Sequence, residues 1–169
     1  MSRGDHDSEV EAAVLRVLDE LAVEYEVIPV DPELADTAAF CEHYGYPLED
    51  SANCIVVASR REPIQYAACL NLAHTKLDVN KRVRKLMGVR KLSFATPEQT
   101  RDLTGMMIGG VTPFGLPEEL PLYVDDRVME RERVIVGGGS RSIKLAVAPD
   151  AVTLLPNTQI IDGLATPEG

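Results

Sequence analysis

Two apolar runs, CIVVA at 54–58 and IQYAACLNL at 64–72, are separated by only five residues, SRREP. Runs of this length and composition read as strands, and so short a polar connector lets them pair only as an antiparallel hairpin, because parallel strands need a crossover of a dozen or more residues. Any sheet that contains this pair is therefore not purely parallel.

Helix and strand signals alternate around the hairpin. Ser8-Glu9-Val10-Glu11 has the form of a capping box, and Val10, Val14, Leu15, Val17, Leu18 and Leu21 follow at helical spacing. Residues 1–7 ahead of it read as a disordered polar leader. Residues 25–30 read as a strand. Asp36 can cap a short helix through Phe40 and Cys41 that stops at Gly45 and Pro47, and Asp78 can start one over 79–87 that ends at Gly88. Thr96-Pro97-Glu98-Gln99 joins an N-cap to a proline at the first helical position. Residues 92–95, 122–124, 134–136 and 141–147 read as strands, 149–155 as a last helix and 158–161 as a closing strand. Within 141–147, Ile143, Leu145 and Val147 share a face, and Arg141 has their parity. Residues 1–169 thus read as a single mixed α/β domain with neither repeats nor linker.

The net charge of −10 argues against nucleic acid, but the charge is unevenly spread. Seven of the 17 Lys and Arg residues fall between Lys76 and Lys91, among them Lys76, Lys81, Arg82 and Lys85, against one acid, Asp78. A second cluster comprises Arg127, Arg131, Arg133, Arg141 and Lys144. A local basic face on an acidic body can hold a polyanion there and repel it elsewhere. Cys41, Cys54 and Cys69 show no CxxC spacing, and no apolar leader is evident, which together point to free thiols in a reducing cytoplasm. No segment reads as a membrane span.

Between Leu103 and Pro117 there is no charged residue or histidine, yet TGMMIGGVTPFGLP is rich in Gly and Pro. A buried loop must find partners for its backbone groups, and a ligand is one reason to build one. A second glycine turn, VGGGSR, lies at 136–141. Neither nucleotide-binding glycine motif is present, GxSxG fails at its last residue, and Cys41 with His43 offers only two potential metal ligands. No metal and no cofactor is expected. What remains is backbone chemistry: Gly109, Gly110, Val111 and Thr112 can bring N–H donors close to a carbonyl oxygen, Pro113 stiffens the loop, and Phe114 offers an apolar wall. Gly138, Gly139 and Ser140 form the second turn, beside which an inward Arg141 would suit a phosphate or carboxylate. Met106, Met107, Val111 and Phe114 are candidate pocket walls.

These segments, in this order, resemble the YbaK family, also called the prolyl-tRNA synthetase-associated domain, over nearly the whole chain. The specific pieces are the GxxxP loop at Gly109 to Pro113 and the glycine turn at 137–139. The resemblance implies a partly barrel-like mixed sheet flanked by helices, and a metal-free deacylase that cleaves the ester of mischarged aminoacyl-tRNA. The 3′ acceptor end would be the substrate, and an aminoacyl-tRNA synthetase is a further candidate partner. It places Gly109, Gly110 and Asn53 at the reaction, Cys54 beside them, and tRNA phosphates on Lys76, Lys81, Arg82 and Lys85. One position departs from the pattern: many members carry Lys where this chain has Asn53, which can hydrogen-bond but brings no charge. Lys144 or Arg141 would then supply it. The alternative is a non-catalytic module of the same fold that binds tRNA ends or aminoacyl ligands.

Overall fold

The hairpin forms as β2 (Ala52–Ser59) and β3 (Tyr66–Leu72), antiparallel, with Asn53 opposite Asn71 and Ile55 opposite Cys69. The computed structural model describes residues 3–167, with side chains from His6 onward. β5 (Leu92–Phe94) pairs antiparallel along β2, while β6 (Leu122–Asp125) runs parallel to β3 and β9 (Thr158–Ile161) parallel to β6. The result is a five-stranded mixed sheet in the order β5-β2-β3-β6-β9.

A second, antiparallel sheet has the order β1-β8-β7, from β1 (Tyr25–Pro29), β8 (Ile143–Val147) and β7 (Val134–Gly137). A bridge between Ser51 and Ile135 joins the two sheets. The strand alternation shows what each face buries. Val56, Ala58, Ala68 and Leu70 of the first sheet and Val134, Val136, Leu145 and Val147 of the second meet in one core, to which α1 (Arg3–Glu20) adds Val14 and Leu18. The residues between them point outward on each sheet. Ile135 and Ala146 pack under Phe40 of α2 (Thr37–Tyr44). Val57, Ala67 and Cys69 pack under Val79 and Val83, which precede α3 (Arg84–Met87). Helical segments therefore cover the outer face of both sheets, and the mixed sheet expected from the sequence is divided into pieces that share a core.

Several local signals act as expected. Gly45 and Gly88 end their helices in the left-handed conformation, and Thr96 and Gln99 make both halves of a capping box on α4 (Pro97–Thr104). Others differ. α1 already starts at Arg3, so Ser8 lies inside it, and residues 3–7 are helical rather than a disordered leader; Met1 and Ser2 lie outside the described residues. Asp5 and Asp7 suit the first turns of a helix, which lets the helix begin ahead of Ser8. The segment after Asp78 begins with π-type turns over Val79–Val83 before becoming α3, and Pro149–Leu154 is a 3-10 helix. β4 (Thr75–Leu77) and β10 (Ala165–Pro167) pair antiparallel in a two-stranded piece that the sequence reading lacks. Among the described residues no helix is long and apolar enough to cross a membrane.

Candidate functional site

The two glycine segments lie backbone against backbone. Gly139 N–H donates to Gly110 O at 2.6 Å. A Cβ on Gly110 would collide with the backbone of Ser140, and one on Gly137 with the carbonyls of Gly110 and Val111. Glycine is required here by close approach of the chain to itself, before any ligand is considered. Gly109 is needed for a second reason: its φ is +92°, and the Arg141 guanidinium occupies the space a side chain would fill.

Other groups fix this pair in place. Ser140 Oγ donates to Glu11 Oε2 of α1 at 2.5 Å and accepts from Ser142 N–H. Arg141 lies just ahead of β8, so strand parity does not govern it. Its guanidinium donates to Pro32 O, Asp36 Oδ1 and Ile108 O, at 3.1, 3.2 and 3.1 Å. That clamp ties the 32–36 segment and the glycine loop to the turn ahead of β8, and it spends three of the five guanidinium N–H donors within the chain.

A cavity of about 210 Å³ opens beside Gly109, between Asn53 of β2 and Lys144 of β8, with Thr37 and Val111 on its walls. Thr37 Oγ1 donates to Asn53 Oδ1 at 2.6 Å, which turns the amide NH2 of Asn53 away from that contact. Among the described residues that NH2 has no acceptor. Lys144 is 7% exposed, and its Nζ sits 5.1 Å from the centroid of the Phe40 ring, a cation–π geometry. Burial lowers its pKa from the ordinary lysine value, only partly opposed by Cys41 and Asp36. No ion pair or hydrogen bond to Lys144 Nζ occurs among the described residues. An ammonium buried without a paired anion is costly to maintain.

Backbone donors complete the cavity. Gly110 N–H is spent within its own turn on Met107 O at 2.8 Å. The N–H groups of Gly109 and Val111, two residues that line the cavity, donate to no described backbone carbonyl, in contrast to that of Gly110. A second, more apolar cavity of about 280 Å³ continues from the first, sharing Cys54, Ile55, Ile108, Gly109 and Val111, and reaches Phe94 and Ala95. The Cys54 thiol is pushed up to about 12 by burial, which makes it a wall and no nucleophile at neutral pH.

The structure therefore brings together Asn53, Cys54, Gly109, Val111 and Lys144, and adds Thr37, Ile55 and Ile108. Thr112, Pro113 and Phe114 are buried behind the loop, Phe114 completely, in the core shared by the sheets. Met106 is 2% exposed in that same core. Neither Phe114 nor Met106 is a pocket wall; an apolar side chain beside a glycine loop gives no sequence sign of which side of the loop it takes. Gly138, Gly139 and Ser140 act from behind as the buttress. Of the expected phosphate ligands, Lys76 and Lys81 line a shallow groove of about 550 Å³ and Lys85 is exposed. Arg82 instead donates to Asp162 O at 3.2 and 3.0 Å. Four of the five cations in the second basic cluster are paired, Arg127 with Asp125, Arg131 with Asp50, Arg133 with Glu26 and Arg141 with Asp36, and Lys144 is the exception.

The family model for the aminoacyl-tRNA editing domain matches residues 31–154. EbsC of Enterococcus faecalis, a proposed Cys-tRNA(Pro)/Cys-tRNA(Cys) deacylase, is 27% identical over 82 residues, 48% of this chain and 50% of EbsC. The proline–tRNA ligase of Paraburkholderia phymatum is 28% identical over 137 residues, 79% of this chain and 24% of the ligase. The chain thus spans half or less of these relatives. A solved structure of a proposed trans-editing enzyme for prolyl-tRNA synthetase has the same fold, with a TM-score of 0.78 over 95% of this chain and 98% of that one at 24% identity.

Proposed function

The chain belongs to the aminoacyl-tRNA editing domain family, and from that premise we propose that it hydrolyses the ester joining a wrong, small and neutral amino acid to the 3′ end of tRNA. The observation that carries the proposal is that Gly109 and Val111, whose N–H groups donate to no described backbone carbonyl, line one cavity with Lys144, whose Nζ makes no ion pair or hydrogen bond among the described residues. An attacked ester carbonyl develops negative charge on its oxygen, and fixed donors aimed at that oxygen are worth most where water is excluded.

In this reading water adds to the ester carbonyl while its oxygen rests against the Gly109–Val111 backbone. The bond from the carbonyl carbon to the ribose oxygen then breaks, the ribose oxygen takes one of the water's two protons, the other passes to solvent, and free amino acid leaves with its carboxylate. Lys144 supplies the positive charge that Asn53 does not, and the Asn53 amide, oriented by Thr37, donates to the ester or the ribose. The size of the cavity and its walls of Cys54, Ile55 and Val111 suit a short apolar side chain. The names of the relatives favour the prolyl system, with cysteine among the candidate amino acids.

The test is deacylation of a panel of mischarged tRNAs by wild type, Lys144→Met and Asn53→Ala. Wild type is expected to act on small aminoacyl groups, and Lys144→Met to lose about 10²-fold or more in kcat, the scale of one lost oxyanion-stabilising donor. Lys144→Met should stay folded, because Met fills similar volume without a buried charge. A folded wild type that binds tRNA ends without cleaving any ester would establish the binding-module reading in its place.

A further inference from the structure

The chain has three phenylalanines and no tryptophan. Phe40 and Phe114 are fully buried, whereas Phe94 is 59% exposed, on the edge strand β5. Phe94 is shared by the linings of two cavities. One is the apolar cavity that continues from Gly109 and Cys54, whose mouth is flanked by Ile108, itself 48% exposed. The other is the shallow groove lined by Lys76 and Lys81, with Leu77, Val79 and Leu92 as its floor. The one acid on that groove, Asp78, is engaged with Lys81 N–H at 3.2 Å.

The order across the surface is thus ester-binding cavity, exposed aromatic ring, lysines. An aminoacylated RNA end presents its parts in the same order: acyl group, terminal nucleoside, then phosphodiesters. Bases stack on exposed aromatic rings whatever their identity, and lysines beside such a ring take the backbone charge. We propose that Phe94 is the stacking platform for the terminal nucleoside of the RNA, with Ile108 as the opposing wall and Lys76 and Lys81 receiving the phosphates that precede it. This rests on the editing reading for the identity of the ligand, and it adds the direction in which the strand leaves the cavity. A protein partner would have no cause to favour this sequence of cavity, ring and cations.

The experiment measures binding of an uncharged single-stranded oligoribonucleotide ending in CCA, which requires no hydrolysis, to wild type, Phe94→Ala and Phe94→Trp. A parallel series uses the oligonucleotide lacking its terminal adenosine. Phe94→Ala should weaken binding about 5- to 150-fold, the equivalent of one stacked base, and Phe94→Trp should restore it. Removing the adenosine should weaken wild type by a similar factor and abolish the difference between wild type and Phe94→Ala. Phe94 is exposed, so the variants should match the wild-type melting temperature. Equal affinity of wild type and Phe94→Ala, a Phe94 effect that persists without the adenosine, or no binding by wild type overturns the platform. Binding that depends on Phe94 without hydrolysis of any aminoacyl-tRNA keeps the platform and overturns the deacylase reading alone.

Discussion

Asp125, at the end of β6, is completely buried, and neither carboxylate oxygen has a hydrogen-bond partner among the described residues. Arg127 Nη1 is 3.6 Å away, too far to satisfy it. Burial pushes its pKa from 3.8 up to about 6, a rise that Arg127 opposes without cancelling and that the neighbouring Asp126 reinforces. The sign of the consequence follows from proton counting. Between about pH 4 and 6 the folded chain holds a proton on Asp125 that the unfolded chain has released, so stability falls as pH rises through that window. A displacement of this size corresponds to roughly 3 kcal/mol lost by neutral pH. Asp125→Asn should remove that dependence: urea midpoints of wild type should decline from pH 4 to 7 relative to the variant, and the curves should be parallel above pH 7. Parallel curves throughout would mean that Asp125 is ionised at no cost. Lys144 is the other ionisable Asp, Glu, Lys or Arg side chain buried among the described residues, and its placement differs in kind, since it lines a cavity a ligand can enter.

At the scale of elements, the site depends on the two glycine segments being able to touch. Gly110→Ala would force its Cβ into the Ser140 backbone, which cannot yield as a flexible side-chain tip could. Overpacking of this kind costs about 1–3 kcal/mol, so the melting temperature should drop by roughly 2–12 °C for a chain of this size. Activity should fall with it, because Gly139, Ser140 and Arg141 all brace the same loop. A Gly110→Ala protein of unchanged stability would show that the close approach is relaxed in solution. The glycines are conspicuous in the sequence, but their purpose is not. Gly109 stands out in the sequence and lines the cavity; that Gly137 and Gly110 face each other depends on where the second sheet sets β7 against the loop, which no local pattern specifies. The hairpin, the helix stops at Gly45 and Gly88 and the Thr96 cap are legible because each is settled by residues a few positions apart. β4 and β10 are three residues each, too short for alternation to register, and they pair Leu77 with Ala165 across a stretch of chain too long for any local signal. Arg141 escapes the sequence reading because strand parity does not extend ahead of the start of β8, and Phe114 because an uncharged loop does not reveal which of its apolar residues enters the core.

At the scale of the whole molecule, the cavity lies along the seam between the two sheets, with Asn53 supplied by one sheet, Gly137 and Lys144 by the other, and Thr37 by the helix that covers the second. Charge is organised on the same scale. The body carries a net −10, which repels RNA, so binding must rely on the cations left free. Arg131 and Arg133 are held by Asp50 and Glu26, whereas Lys76 and Lys81 are exposed and make no ion pair among the described residues. The two basic clusters, alike in sequence, should therefore behave differently. Each phosphate neutralised on a single strand contributes about 0.7 to the slope of log affinity against log salt. Replacing both Lys76 and Lys81 by Ala should weaken RNA binding at low salt and reduce that slope by roughly 1.4, two phosphates at this value each. Arg133→Ala, which removes a cation already paired at the surface, should leave the slope unchanged. Titrations of one oligoribonucleotide at several salt concentrations decide between the clusters: if Arg133→Ala lowers the slope and the lysine pair does not, the strand leaves the cavity across the three-stranded sheet, and the basic groove beside Phe94 is only a solvated surface.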